Sequence, residues 1–273
     1  MCINNKEKVV QTLESILKDK LQAIQNLINQ QQRISEDLYK VNNNVNDNTL
    51  GLKGCKICNG IGLILRQENG ATYSRECECF KKKLSQERFS KTEIANKTEY
   101  TFKNYKANEK WQKDILKQAK SYVSNFKDNW FYIGGQIGAG KTHICTAILR
   151  NIGELNNISY AYIKCDEELE RLKQLTYEQQ EEYSKIMFNL KNIGLLFIDD
   201  FFRRTPTEAD KAKIFDIINF RYLNNKPCIL SSEKILFEIL NIDEAIGSRI
   251  FEKAKNFNIE IEKEVSKNYR LKR

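Results

Sequence analysis

Along this chain the spacing of apolar positions changes character twice. From about Lys6 to Val41, residues Val10, Leu13, Leu17, Leu21, Ile24, Ile28, Ile34, Leu38 and Val41 recur at steps of mostly three and four without Gly or Pro, which predicts helix. The segment is too long and too rich in Gln and Asn for a core helix, so a coiled-coil arm, a helical hairpin or a partner-docking element fits it better. Asn42 to Gly54 is polar with two Gly and reads as a linker. A cysteine-bearing stretch, Cys55 to Phe80, and a basic connector through Tyr105 come next. From Trp111 on, short apolar runs alternate with helical stretches. The predicted strands are Trp130–Ile133, Ile158–Ile163, Ile193–Ile198, Cys228–Leu230 and the alternating Phe257, Ile259 and Ile261. Predicted helices between them include Lys141–Arg150, Asp166–Leu175, Gln179–Leu190 and Glu208–Tyr222. This alternation predicts an α/β fold with a parallel sheet and helices on both faces.

Composition narrows the class. With 273 residues, 41% hydrophobic, 30% charged and only 2 Pro, the chain is neither collagen-like, Pro-rich nor wholly disordered. The length suits one sizeable core plus an accessory module. No apolar run approaches the roughly 20 residues of a membrane span, and the start has no apolar signal-peptide core. A soluble intracellular protein is expected. The net charge is +9, and Lys81 to Lys120 holds 12 Lys and Arg against 5 Asp and Glu, so most of the excess is local. Such a block suits a polyanion such as a nucleic-acid backbone; a solvated basic face is the plainer alternative.

The sharpest chemical signal is Gly135-Gln136-Ile137-Gly138-Ala139-Gly140-Lys141-Thr142, which matches G-x-x-x-x-G-K-[ST] between a predicted strand and a predicted helix. Glycines let successive backbone N–H groups curl toward phosphate oxygens, and the helix adds its positive end. Lys141 is expected to reach the β- and γ-phosphates of ATP, and the Thr142 hydroxyl to ligate Mg²⁺. His143, the only His, follows in the helix, where plain packing is its simpler reading. Downstream, Leu195-Leu196-Phe197-Ile198 ends in Asp199 and Asp200. Asp199 is then the metal-side acid and Asp200 the residue that orients or deprotonates water. An Asp reaches less far than a Glu, so slow, switch-like hydrolysis is expected.

Cys55-x2-Cys58 and Cys77-x-Cys79 supply four thiolates, enough for a tetrahedral Zn²⁺ shell. Asn59-Gly60 allows the tight turn of a knuckle, and Ile61–Leu65 with a turn at Gly70-Ala71 fits a β-hairpin carrying the second pair. A redox dithiol would need only one pair. Cys2, Cys145, Cys165 and Cys228 are scattered and read as buried fillers.

Taken together, these stretches resemble the bacterial replicative helicase loaders of the DnaC/DnaI type, AAA+ ATPases of the initiator-related clade. The resemblance runs from about Cys55 to the C-terminus. It is carried by Cys55-Lys56-Ile57-Cys58-Asn59-Gly60-Ile61-Gly62 with Cys77-Glu78-Cys79, by Thr101-Phe102-Lys103-Asn104-Tyr105 and by Gly140-Lys141-Thr142-His143-Ile144. Further on it continues in Ile217-Ile218-Asn219-Phe220-Arg221-Tyr222, Asp243-Glu244-Ala245-Ile246-Gly247-Ser248-Arg249-Ile250 and Asn268-Tyr269-Arg270. The resemblance implies a P-loop AAA+ domain over residues 100–273 with a five-stranded parallel sheet. Before it would come a four-cysteine zinc module and basic connector over 48–99 and a helical helicase-docking arm over 1–47. It implies that Arg249 acts as an arginine finger toward a neighbouring subunit, where the residue alone reads as a surface salt-bridge former. It also implies that the sensor-1 polar residue lies in Ser231-Ser232-Glu233 and that Arg270 is a candidate second sensor. The implied partners are a hexameric DnaB-type helicase, single-stranded DNA and further copies of the chain, with no membrane and a cytoplasmic location. Phe89, Tyr100, Phe102, Tyr105 and Trp111 in the basic block offer stacking surfaces for a single strand, or else pack the zinc module against the ATPase domain. Two other readings compete. One is a transposition-type AAA+ regulator acting on a transposase and duplex DNA; the other is an adaptor whose nucleotide is structural.

Overall fold

A computed structural model of the chain describes residues 50–68, 71–156, 158–175 and 179–271. The helix expected over Lys6–Val41 and the turn at Gly70 lie outside the described residues. Two compact units divide the chain, residues 1–63 and 64–273.

In the first unit the described backbone turns tightly around Cys55 and Cys58. Asn59 and Gly60 both take left-handed conformations, φ 48° and 92°. The Asn59 N–H donates to the Cys55 carbonyl at 2.8 Å and the Gly62 N–H to the Cys58 sulfur at 3.3 Å. An Asn followed by Gly tolerates this turn with little strain.

The second unit contains β1 (Leu63–Glu68, from its second residue) and β2 (Ala71–Glu76), which form a two-stranded sheet. Cys77 follows β2 directly and is the N-cap of α1 (Glu78–Ser90), with Cys79 inside that helix. The second cysteine pair therefore sits at a strand-to-helix junction rather than within the hairpin, and much of the expected connector is helix.

Next come α2 (Lys110–Asn125), β3 (Phe131–Gly135), α3 (Lys141–Leu155), β4 (Tyr160–Lys164), α4 (Cys165–Gln174), α5 (Gln180–Asn192) and β5 (Leu195–Asp199). They are followed by α6 (Glu208–Leu223), β6 (Cys228–Ser231), α7 (Leu236–Ile242), α8 (Glu244–Lys253) and β7 (Asn258–Ile261). Strands β3 to β7 form one parallel sheet in the order β4-β5-β6-β3-β7. The strands and helices predicted in this region are all present. The first strand is shifted by one residue at its start and runs through Gly134-Gly135, and the second begins at Tyr160.

Period-two alternation builds two cores. Phe131, Ile133, Tyr160, Tyr162, Leu195, Phe197, Ile229, Ile259 and Ile261 face α2 and α3. Trp130, Tyr132, Leu196, Ile198, Cys228 and Leu230 face α4 to α8. With both faces covered, β3 and β5 are buried at every position, which is why their sequences read as continuous apolar runs. Cys145, Cys165 and Cys228 are buried fillers as expected; Cys2 lies outside the described residues.

Parallel registration brings Gly135 beside Ile261 and Asp199 beside Lys164, so the C-terminal strand ends carry the phosphate loop and the acids on one edge of the sheet. Reversal of strand order around β3 and β6 puts a crevice at that edge.

Candidate functional site

The loop between β3 and α3 is shaped by glycines that no other residue could replace without displacement. Gly135 has φ 104°, and a Cβ there would lie 2.0 Å from the Ile261 carbonyl oxygen. Gly138 has φ 72°, and its Cβ would lie 2.0 Å from the Asn268 Oδ1. Lys141 is folded back along the loop, its ammonium donating to the carbonyls of Gly135 at 2.9 Å and Gln136 at 2.6 Å. Burial pushes its pKa down, against the opposing charges of Glu233, Asp200 and Asp199.

At the end of β5, Asp199 is 2% exposed and receives hydrogen bonds from the Thr142 hydroxyl at 3.2 Å, from the Tyr162 hydroxyl at 3.3 Å and from the Ser231 hydroxyl. Burial pushes its carboxyl up to about 6, with the neighbouring Asp200 adding to the rise and the Ser231 and Thr142 bonds opposing it. A buried carboxylate beside a second one is short of positive charge. With Thr142 it offers the hard oxygen donors that Mg²⁺ prefers, so the residues fit that ion. Asp200 takes a left-handed φ of 51° and Phe202 one of 49°. The turn is held by the Phe201 N–H to the Ser231 carbonyl at 2.7 Å and by the Ser232 hydroxyl to the Phe201 carbonyl at 2.7 Å. Left-handed backbone at a bulky residue is strained by about 1–3 kcal/mol, and it aims Asp200 into the cleft.

The cleft has a volume of about 810 Å³, within the range of small-molecule sites. Ile137, Gly138, Gly140, Lys141, Thr142, His143, Asp199 and Asp200 line it. Tyr100, Asn104, Tyr105, Lys106, Tyr162, Glu233, Tyr269 and Arg270 line it too. His143 stacks on Tyr100 at 4.7 Å, with its Nε2 2.9 Å from the Thr101 carbonyl, while burial lowers its pKa. The ring is thus both packed and part of the cleft wall. Glu233 is ion-paired with Arg203 at 3.5 Å, whereas Ser231 is the one that touches Asp199 and accepts from the Asp200 N–H at 3.3 Å.

Three features of the cleft were missed by sequence reasoning: Tyr162 on Asp199, the Lys164–Glu93 ion pair in its wall, and the C-terminal crossing. In that crossing the Tyr269 N–H donates to the Gly138 carbonyl at 3.0 Å and its hydroxyl to the Lys106 carbonyl at 3.1 Å. Strand alternation could have placed Tyr162 on the same face as Tyr160; the motif Asn268-Tyr269-Arg270 pointed Arg270 toward the nucleotide, and Arg270 does line the cleft, but it did not reveal Tyr269 crossing the loop.

Arg249 lies on α8 outside the cleft of its own chain. Its guanidinium donates to Asn219 at 3.0 Å and the Ala245 carbonyl at 2.7 Å and lies 4.9 Å from the centre of the Phe215 ring. The aromatics of the basic block pack inward: Phe89 and Tyr105 are buried, and Phe102 and Trp111 are half-buried against the same core. Phe89 meets Tyr160 edge-on at 5.5 Å. Phe89 and Tyr105 are too buried to stack on a strand, and Tyr100 stacks on His143 in the cleft wall.

The sulfur atoms of Cys55, Cys58, Cys77 and Cys79 all lie within 4.8 Å of one another. A tetrahedral zinc shell with bonds near 2.3 Å sets its sulfurs roughly 3.8 Å apart, so the four thiols fit such an ion. The N–H of Gly62 at the Cys58 sulfur is the kind of outer hydrogen bond that orients a thiolate ligand.

A five-stranded parallel sheet with this strand order, a phosphate loop after β3 and paired acids after β5 define a P-loop AAA+ fold. The family of the bacterial DnaA ATPase domain matches residues 96–254. The chain belongs to that family, in the initiator-related clade that includes the DnaC/DnaI-type loaders. Among individual proteins, the uncharacterized protein YqaM of Bacillus subtilis is 32% identical over 200 residues, covering 68% of this chain and 63% of YqaM. The replicative helicase loader DnaC of Escherichia coli is 24% identical, covering 57% of this chain and 62% of DnaC. The chain thus spans a little under two thirds of these relatives. A crystal structure of the DnaC helicase loader superposes with a TM-score of 0.53 at 20% identity, covering 62% of this chain and 99% of that one. AMPPCP-bound DnaA from Aquifex aeolicus does so with 0.51 at 22% identity, covering 62% and 51%. Among the described residues no helix is long and apolar enough to cross a membrane.

Proposed function

We propose that this protein is an ATP-dependent loader that places a DnaB-type replicative helicase on single-stranded DNA during replication initiation, its nucleotide state switching helicase binding and release. The observation that carries the reading is the cleft, in which the phosphate loop, Asp199 and Asp200 meet at one sheet edge. Membership of the initiator clade supports it. In this reading Gly135 and Gln136 open the loop, the Gln136 N–H being held by the Ile261 carbonyl at 3.0 Å, while Ile137, Gly138, Ala139 and Gly140 present backbone N–H groups to the triphosphate and Lys141, Thr142 and His143 complete the seat. Bound Mg²⁺, held by Thr142 and Asp199, would supply charge to the β- and γ-phosphate oxygens. Asp200 orients water and accepts its proton at the carboxylate. Arg249, turned away from its own cleft, reaches the γ-phosphate on a neighbouring copy, so hydrolysis is slow until copies assemble. Cys55, Cys58, Cys77 and Cys79 hold structural Zn²⁺ in a module over residues 48–99, between a docking arm over 1–47 and the ATPase domain over 100–273. The protein acts in the cytoplasm.

Native mass spectrometry tests this with the DnaB-type helicase of the same genome, with and without a slowly hydrolysed ATP analogue, on the full chain and on a chain beginning at Asn48. A helicase hexamer carrying this protein, lost on truncation, is expected. Absence of any complex under every nucleotide condition overturns the reading.

A further inference from the structure

One wall of the cleft is built by the stretch that leads into α2, and Tyr105 is its most buried polar cleft-lining member. Tyr105 is 7% exposed, and its hydroxyl has no hydrogen-bond partner among the described residues. Other buried tyrosines of this unit differ. Tyr122 donates to the carbonyls of Asn129 at 3.1 Å and Cys228 at 3.2 Å, Tyr132 to that of Lys234 at 2.8 Å, and Tyr162 to Asp199 at 3.3 Å. A buried hydroxyl without a partner is destabilising, and a phenylalanine would fill the same space without that penalty. The fold alone therefore gives no reason for the oxygen.

The ring's position supplies one. Its Cε2 would lie 3.3 Å from a Cβ on Gly140, the residue that opens α3, and it meets the His143 ring edge-on at 5.4 Å. It stands among Tyr100, Asn104, Lys106 and Tyr269, whereas the Asp199 carboxylate meets Thr142 and Ser231, with the Asp200 N–H on the same Ser231 hydroxyl. The loop and the Asp199 side take the triphosphate. The aromatic wall beside Gly140 and His143 is left for the rest of the nucleotide.

Resting on the nucleotide-binding reading above, we infer that Tyr105 is a nucleoside-binding residue whose hydroxyl hydrogen-bonds the base or ribose of bound nucleotide. The bound nucleoside then satisfies an oxygen that the protein itself leaves unpaired.

The test is titration calorimetry of the full chain and of Tyr105→Phe with Mg-ATP and Mg-ADP, together with thermal melts without nucleotide. The variant is expected to bind ATP and ADP about three- to tenfold more weakly, by the same factor for both, because the nucleoside is common to them. Its melting temperature without nucleotide should be unchanged or raised. Equal affinity in wild type and variant overturns the inference. So does a loss confined to ATP, which would put the hydroxyl at the γ-phosphate, or a fall of several degrees without nucleotide, which would mean the hydroxyl has a partner in the fold. If the wild type binds neither nucleotide, the nucleotide-binding reading itself fails, and the inference with it.

Discussion

Arg221 is 0% exposed, yet its guanidinium hydrogen-bonds backbone carbonyls and a thiol rather than a carboxylate. Its Nη1 donates to the carbonyls of Leu190 at 2.9 Å, Lys191 at 3.2 Å and Ile193 at 3.0 Å, and Nη2 to that of Pro227 at 2.6 Å. Nε lies 3.0 Å from the Cys228 sulfur. Leu190 and Lys191 belong to the last turn of α5, whose carbonyls have no partners within the helix and carry its negative end. One side chain thus caps a helix and ties the chain entering β5 to the chain entering β6, the strands that deliver Asp199 and Ser231. Arg221→Met keeps the apolar stem and removes every donor. Leaving a set of buried carbonyls without their charged partner costs about 3–5 kcal/mol. For a unit of this size that lowers Tm by roughly 6–20 °C. Arg221→Lys keeps the charge but has no planar fork, and should recover only part of the loss. Differential scanning calorimetry of the three proteins is the assay. A Met variant within about 1 kcal/mol of wild type would refute the capping argument, because those carbonyls would then find other donors.

Gly138→Ala forces a Cβ onto Asn268 at a left-handed position and should weaken Mg-ATP binding about tenfold or more by calorimetry; unchanged affinity would show that the C-terminal crossing yields freely. Elemental analysis should find one zinc per chain, lost in Cys58→Ser and retained in Cys145→Ser, since Cys145 is a buried filler outside the four-thiol cluster; metal in neither protein would remove zinc from the account. Arg249→Ala should leave ATP affinity unaltered but lower assembly-stimulated hydrolysis on the order of 10³-fold, read as phosphate release with and without helicase. A matching loss in binding would place Arg249 at its own chain's nucleotide instead.

How much was legible in the sequence follows from how local each signal is. The phosphate loop is a contiguous pattern whose glycines serve the backbone directly, so Gly135 to Thr142 could be read residue by residue. The buried strands β3 and β5 declared themselves because both faces of a parallel sheet are covered. Helix α1 was read as a connector because its basic, polar surface hides a sparse inner face of Cys79, Ser85 and Phe89. The stacking role offered for Phe89 and Tyr105 failed because sequence shows an aromatic but not the core it enters. The Tyr162–Asp199 and Tyr269–Gly138 contacts join residues 37 and 131 positions apart, and only the folded chain brings such pairs together.

Whether the nucleotide cleft drives helicase loading, as proposed, is decided by a loading assay on a circular single strand. The same-genome helicase would be mixed with the circle, ATP and either the wild-type protein or Lys141→Ala, and ring-bound helicase counted after gel filtration. Helicase is expected on the circle with the wild type, and a loss of at least about tenfold in its loading or release with Lys141→Ala. Equal loading and release with both proteins, or none with either, would contradict the proposal.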